Sequence, residues 1–486
     1  MSDFMENLVT SWGSRGSRVA IEHGDASVTF AELGLLTQQI ATDPRLHTVR
    51  RVGLLDRGDL ATRVYYFAIA RSGATIVPMS PEWPETRLGD VLGEACVDAI
   101  IDPQSGASLP GWLGTPEGTF DGTFFTREGS SASHSPAERD PDIAYILFTS
   151  GSTGRPKGVP VAWRSVAAFC DSVTAIHSLT DTDRVSATFG LTFDVSVFDL
   201  FAPSVVGAAS VLPRSRGHLA SALDYVNDTA LTVWFSVPGR IDLANRLGEL
   251  EPGSLPTLRQ SMFIGEQLSA RQALAWAAAA SQSEVHNLYG PTEAAVACLS
   301  FQVTRDDPPV GAVPIGAPYP GVNVSIGSLR HEREMLLSGT QVFDGYLRDD
   351  DNMTAFEEKD GRRWYRTGDI VLEGEDGLRF ETRIDRQVKV SGYRIELGDV
   401  EAAFLAAGTS RAHAFVEDLD GVASLVVCVL SVERSDSLRD DVRRRLPAYM
   451  WPQTIVPVES FPLTSSGKVD GIRLRENFRL AARDAS

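Results

Sequence analysis

Between Ile146 and Val161 the sequence reads ILFTSGSTGRPKGVPV. An apolar run gives way to glycines, hydroxyl side chains and one lysine. Gly151 and Gly154 let backbone N–H groups turn toward a common point, and Thr149, Ser150, Ser152 and Thr153 add hydroxyl donors. Lys157 brings a compact positive charge beside them. Such a nest suits an anion, and phosphate is its natural guest. The spacing is not that of a Walker loop, because Lys157 follows Arg155-Pro156, and no GxGxxG fingerprint is present. A plain surface loop is the competing reading; the preceding apolar strand, the proline and the lysine weigh against it.

These residues need elements to hold them. ATRVYYFAIARSGATIVPMS reads as a helix followed by a strand, and WRSVAAFCDSVTAIHSL (163–179) places Val166, Phe169, Val173 and Ile176 at helical spacing. RVSATFG, GAASVLP and LTVWFSV read as strands, and SARQALAWAAAA as a helix with a serine cap. The stretch from Ser105 to Asp142, rich in Gly, Ser, Pro and Asp, reads as a loop with one short strand that separates an N-terminal α/β region from the glycine-rich segment. Alternating helices and strands predict stacked α/β layers with largely parallel sheets. After Asp385 the pattern changes. LGDVEAAFLAAG reads as a helix ending in glycine, AHAFVED and SLVVCVL as strands, and DSLRDDVRRRL as a helix with a basic end. The expected fold class is therefore α/β: a large N-terminal multi-layer domain over 1–384 and a small C-terminal α+β domain over 385–486.

Composition narrows the function. The chain has 486 residues, 43% of them hydrophobic and 22% charged, which is ordinary for a globular protein of two or three structural units. No apolar run reaches membrane-span length, and the N-terminus lacks the order of a signal peptide. The net charge of −19 argues against nucleic acid or an anionic membrane as partner. Cys96, Cys170, Cys298 and Cys428 show no metal-ligand or disulfide spacing, which fits a reducing cytoplasm. Arg443, Arg444 and Arg445 form a dense basic patch that reads as a solvated helix face.

YILFTSGSTGRPKG closely resembles the phosphate-binding signature of the adenylate-forming superfamily, which includes acyl-CoA synthetases, luciferases and peptide-synthetase adenylation domains. Further matches follow in the family's order: VTFAEL from Val28, FDVSVFD (193–199), NLYGPTE (287–293), REMLLSGTQVFDGYL, YRTGDI (365–370), RIDRQVKVSGYRIELGDVE (383–401), LPAYMWP and SSGKVD. The resemblance spans nearly the whole chain and points to free-standing amino-acid-activating enzymes of peptide biosynthesis.

The resemblance implies roles for particular residues. Thr149 to Gly154 and Lys157 would cradle the phosphates of ATP. Thr292 would contact the α-phosphate, and Glu293 would bind Mg²⁺; alone, such a glutamate would read as a helix N-terminal carboxylate. Asn287, Tyr289, Gly290, Gly265 and Glu266 would border the nucleotide, with Tyr289 on adenine. Asp369 would hold the ribose hydroxyls, assisted by Arg383. Lys468, a compact charge on a flexible stem, would hold substrate carboxylate and phosphate together; the family's usual asparagine is replaced by Ser466. The small domain would rotate about Asp385, and Thr382, where the family has glycine, makes the local backbone stiffer.

The substrate side follows the same pattern. Asp194 would pair with an α-ammonium group. Phe193, Val195, Phe198, Met262, Ile264, Leu288, Val296 and Ala297 would line an uncharged, largely filled pocket, so a small amino acid is expected, with alanine leading. The sequence shows no carrier motif after Lys468, which leads to the expectation of a separate phosphopantetheinyl carrier protein. The alternatives are a small β-amino acid, an acyl-CoA ligase reaction and a non-catalytic nucleotide-binding protein.

Overall fold

The structure, a computed structural model, describes residues 2–104, 116–118, 123–126, 142–149, 155–305, 311–390, 392–419, 422–430, 436–463 and 469–484. The chain divides into two compact units. The first comprises Met1–Pro81, Val91–Phe148 and Lys157–Ile384, and the second Glu82–Asp90, Thr149–Pro156 and Asp385–Ser486.

Two large sheets organise the first unit. In one, the strands Glu284–Tyr289, Gln260–Phe263, Val233–Ser236, Arg184–Ser186, Ala209–Leu212 and Val19–His23 lie side by side in parallel. Antiparallel strands close its two edges: Ala26–Thr29 on one side, Leu299–Val303 and Ala317–Pro318 on the other. The other sheet has a parallel centre of Ala99–Asp102, Arg51–Leu55, Thr75–Met79 and Ile143–Thr149. Their burial on both faces explains the nearly continuous apolar runs.

The structure corrects two expectations. The stretch from Ser105 to Asp142 contributes two short strands, Pro116–Gly118 and Thr123–Thr126, and does not mark a boundary. Strands before and after it belong to one sheet, with Ile76 opposite Tyr145. Parallel pairing also fails to extend through the unit. A third sheet, built from Val322–Ile326, Glu334–Gly339, Phe356–Lys359, Arg362–Gly374 and Gly377–Arg383, is antiparallel throughout. Thr382 sits in its last strand opposite Ile370, beside a register shift in the pairing between Ile370 and Val371.

Local signals set the helices. Thr29 and Glu32 form a reciprocal capping box at the start of the helix Phe30–Ala41, and Ser269 with Gln272 does the same for Ala270–Ala279. The helix Trp163–Ile176 buries Val166, Phe169 and Val173, while Ile176 stays exposed. Trp12, Phe67, Phe201 and Trp163 pack edge to face in the centre of the unit. The second unit carries the hairpin Gln387–Val390 and Tyr393–Glu396 and a three-stranded sheet of Ala412–Leu419, Val422–Leu430 and Thr454–Val458. The helices Leu397–Ala406 and Asp436–Arg443 also belong to it. Arg443 lies over the Trp451 ring and Arg444 pairs with Asp441, so part of the basic patch is satisfied locally. Among the described residues no helix is long and apolar enough to cross a membrane.

A buried histidine pair makes the first unit acid-sensitive. The rings of His177 and His286 meet edge to face at 4.4 Å, and His177 Nε2 lies 3.4 Å from the Tyr319 hydroxyl. Burial, then His286, pushes His177 down to about 3. Burial also lowers His286, with Glu284 at 3.6 Å offsetting part of the effect. An unfolded histidine titrates near pH 6.5, so below that value the unfolded chain binds protons that the folded chain refuses. Stability is therefore complete above about pH 6.5 and declines as pH falls from there toward 3. The urea midpoint should drop between about pH 7 and about pH 5, and His177→Gln should flatten that decline.

Candidate functional site

Several of the sequence-selected residues lie where two adjacent parallel strands end. Met262 lies in Gln260–Phe263, followed by Ile264 and Gly265. Asn287, Leu288 and Tyr289 end the adjacent strand, followed by Gly290. Ligands in α/β sheets favour such carboxyl-terminal strand edges. Phe198, Met262, Ile264, Leu288, Val296 and Ala297 are all at most 2% exposed and share one apolar cluster with Phe235, and Val195 packs against it. The Phe198 and Phe235 rings lie 4.3 Å apart.

Phe193 and Asp194 stand half-buried just before the helix Ser196–Val206, where Asp194 O accepts from Val197 N. The Asp194 charge reaches the buried Tyr145 hydroxyl, whose ionisation is pushed up first by burial and then by Asp194. The loop leading to Asp194 is pinned from several sides. Phe189 N donates to Asp199 Oδ2 at 3.0 Å, Arg63 Nη2 donates to Phe189 O at 2.8 Å, and Leu191 N donates to Asp56 Oδ2 at 2.6 Å. Burial raises Asp199 to about 8, with Arg63 opposing.

The turn after Tyr289 is under backbone strain. Ala295 and Val296 both adopt left-handed conformations, with φ of 51° and 74°. For a β-branched residue this is costly, and such strain clusters at functional sites. Gln341 Nε2 donates to the carbonyls of Ala294, Ala295 and Ala297, and Cys298 N donates to Tyr289 O at 2.7 Å. Gly290 is required here, because a Cβ on it would meet Val296 O at 2.4 Å.

Two polar groups flank this turn. Asp369 accepts from the Tyr289 hydroxyl on one oxygen and from Arg383 on the other, and both of its partners are largely buried. Burial, then Asp369, pushes the Tyr289 phenol up. Glu293, fully buried, accepts from the Tyr346 hydroxyl at 2.7 Å, and its carbonyl accepts from Phe343 N at 2.8 Å. Thr292 opens the short helical turn Thr292–Ala294.

Lys157 begins the strand Lys157–Ala162, 3.4 Å from Asp351 and 5.4 Å from the Tyr346 ring centre. Thr149 closes the strand Ile143–Thr149. The side chains of two other residues are engaged structurally. Glu266 Oε2 accepts from Gly239 N at 2.9 Å, and Asn287 Nδ2 donates to Val313 O and Pro314 O. Asp385 accepts from Gln387 N. Ser150, Gly151, Ser152, Thr153, Gly154 and Lys468 lie outside the described residues. Gln341, Tyr346, Asp351, Asp199 and Arg63 are polar residues at this site that sequence reasoning did not select. Two signals were present: Tyr346 stands in the GYL of REMLLSGTQVFDGYL, and Asp199 ends FDVSVFD.

Comparison with known proteins bears on this arrangement. Residues 9–347 match the family described as AMP-binding enzyme. Over 93% of its length the chain is 29% identical to a plipastatin synthase subunit of Bacillus subtilis, of which it spans 18%. It is 27% identical to a D-alanine–D-alanyl carrier protein ligase of Staphylococcus aureus, aligning 98% of this chain with 99% of that one. The fold superimposes on the Vibrio cholerae adenylation domain AlmE, solved with glycyl-adenosine-5'-phosphate. There the TM-score is 0.85 at 25% identity, over 98% of each chain.

Gln341 is the test of the strained turn. Gln341→Leu leaves buried carbonyls without their donor and should cost about 2–3 kcal/mol of stability, read from urea unfolding. A change below about 0.5 kcal/mol would remove Gln341 as the clamp.

Proposed function

The chain belongs to the AMP-binding enzyme family, and from that premise we propose that it activates a small amino acid with ATP and transfers it to the phosphopantetheine thiol of a separate carrier protein. The substrate carboxylate attacks the α-phosphorus of ATP, the bond to pyrophosphate breaks, and an aminoacyl adenylate forms. The carrier thiolate then attacks the acyl carbon, a thioester forms and AMP leaves. The observation that carries this reading is the convergence at one strand end of a buried carboxylate, a Tyr–Asp–Arg cluster and an apolar wall.

Each group has work suited to its chemistry. Lys157 and Thr149 to Gly154 receive the departing phosphates. Asp369 exchanges a present partner for ribose hydroxyls, with Arg383 holding it in place, and Tyr289 faces the base. Glu293 offers a hard carboxylate oxygen suited to Mg²⁺. Among the described residues no three His, Cys, Asp or Glu side chains cluster as metal ligands, so phosphate oxygens and water would complete such an ion's shell. When bound, Mg²⁺ neutralises phosphate charge. Lys468 is assigned to the substrate carboxylate on sequence alone.

Substrate choice rests on Asp194 and the apolar wall. A half-buried carboxylate compensates an ammonium that would otherwise lose its hydration, and uncharged walls offer nothing to an acidic or basic side chain. The tight Phe198–Phe235 contact favours a small side chain, alanine first. The carrier as acceptor is supported by the name of the Staphylococcus aureus relative, which aligns over its whole length.

Pyrophosphate exchange across alanine, glycine, β-alanine, valine, phenylalanine and plain carboxylic acids tests the reading. Alanine should lead, and a preference for phenylalanine would refute the pocket argument. Asp194→Ala should lose its preference for amino over plain acids by at least about tenfold. Unchanged kinetics would remove the ammonium role. Lys468→Ala should reduce adenylate formation by about a hundredfold or more with the melting temperature unchanged. Near-normal exchange would take Lys468 out of the mechanism. Loading of free CoA in preference to a holo-carrier would overturn the proposed acceptor.

A further inference from the structure

We propose that Tyr346 is a positioning residue that fixes Lys157 and Glu293 relative to each other and leaves the charge of each available to ligands; this rests on the phosphate and magnesium roles proposed for those two residues. The Tyr346 hydroxyl donates to Glu293 Oε1 at 2.7 Å, while the face of the same ring lies 5.4 Å from the Lys157 ammonium. One side chain therefore contacts the cation and the anion through different parts of its surface.

The chemistry explains why a tyrosine serves here. A direct lysine–glutamate pair would cancel the two charges that a phosphate and a metal ion need. A phenol donates one neutral hydrogen bond, and its ring attracts an ammonium through its quadrupole. Both groups are oriented and neither is neutralised by the tyrosine. Asp351, 3.4 Å from Lys157, forms a partly buried ion pair with it, and the proposal has the greater charge of a polyphosphate displace that partner.

The surrounding segment is built to hold that ring still. Tyr346 N donates to Asn352 Oδ1 at 2.7 Å, and Asn352 Nδ2 donates back to Tyr346 O at 3.0 Å. Gly345, with φ of 150°, makes this possible, since a Cβ there would meet Asn352 Oδ1 at 2.7 Å. Phe343 packs edge to face on Tyr346 at 4.9 Å, and the Tyr365 hydroxyl lies 3.4 Å from the Tyr346 hydroxyl. The same segment holds the backbone at Glu293 and next to Lys157: Phe343 N donates to Glu293 O at 2.8 Å and Leu347 N donates to Gly158 O at 3.0 Å. A residue serving only to fill space would not need its hydroxyl and its ring directed at two separate charged groups.

The full chain, Tyr346→Phe and Tyr346→Leu should be compared by calorimetric titration with α,β-methylene-ATP over a range of Mg²⁺ concentrations, a readout that needs no turnover. Pyrophosphate exchange over the same Mg²⁺ series gives the kinetic counterpart. Tyr346→Phe keeps the ring and loses the bond to Glu293. Its Mg²⁺ requirement should rise about 5- to 10-fold in both measurements, with Mg²⁺-free nucleotide affinity and the amino-acid KM unchanged. Tyr346→Leu should also weaken Mg²⁺-free nucleotide binding, because Lys157 loses its ring. A wild-type Mg²⁺ dependence in Tyr346→Phe would overturn the proposal while leaving the functional reading intact. Equal weakening of nucleotide at all Mg²⁺ concentrations in that variant would overturn it too, as the mark of a packing role. A wild-type chain that binds no nucleotide would overturn both.

Discussion

The left-handed backbone at Ala295 and Val296 is the constraint on which the site depends. A strained turn persists only where its surroundings over-determine it. Here three features do so. Gln341 collects three carbonyls, Cys298 N closes the loop on Tyr289 O, and Gly290 lets the Val296 carbonyl approach its Cα. The consequence is a closed knot running from Tyr289 to Cys298. Residues on opposite sides of it cannot move independently. Glu293 and Thr292 lie on one limb, while Val296 and Ala297 enter the apolar cluster on the other. If the first limb serves phosphate chemistry and the second the substrate side chain, as proposed, the strain fixes the distance between the two.

The polar groups around this knot follow a common electrostatic rule. Buried charge is costly unless it is paired and hydrogen-bonded. Asp369 meets that condition with Arg383 and the Tyr289 hydroxyl. Glu293 accepts a phenol, and Lys157 faces an aromatic ring and the Asp351 carboxylate. Tyrosine hydroxyls are thus used twice, at Tyr289 and Tyr346, to hold a carboxylate in place. Each adds direction without adding charge, so the net charge offered to a ligand is set by few residues.

Much of this was legible in the sequence, and the remainder was hidden for identifiable reasons. Capped helices and strand runs were readable because their signals are local: Ser269 lies three residues from its capping partner Gln272. The order of the motifs carried the family. The antiparallel third sheet was not readable, since Met335, Leu336 and Leu337 are buried on both faces and resemble a parallel strand. The Ser105–Asp142 stretch looked like a boundary because composition records loop character and not which strands pair across it. Gln341 and Tyr346 escaped because their partners lie far away in sequence, 44 to 47 and 53 residues respectively. A side chain that bonds a distant carbonyl or carboxylate leaves no periodic trace near itself.

The FDVSVFD stretch shows how environment assigns duties to residues of one type. Its two aspartates are chemically identical and separated by little more than one helical turn. Asp199 is buried at 1% exposure, raised to about 8 and committed to Phe189 N, with Arg63 holding the same residue by its carbonyl. Its Oδ2 is taken up in holding the loop. Asp194 stands half-buried at the end of the loop so fixed, where its charge is felt by Tyr145. A carboxylate that must meet an incoming ammonium has to keep access to solvent and still be held in place. Those demands conflict in one residue and are compatible in two. The buried aspartate sets the geometry, and the half-buried one keeps both a position defined by the fold and a side open to an arriving ligand. If an ammonium group is met here, as proposed, that division favours Asp194 over the aspartate that closes the same motif.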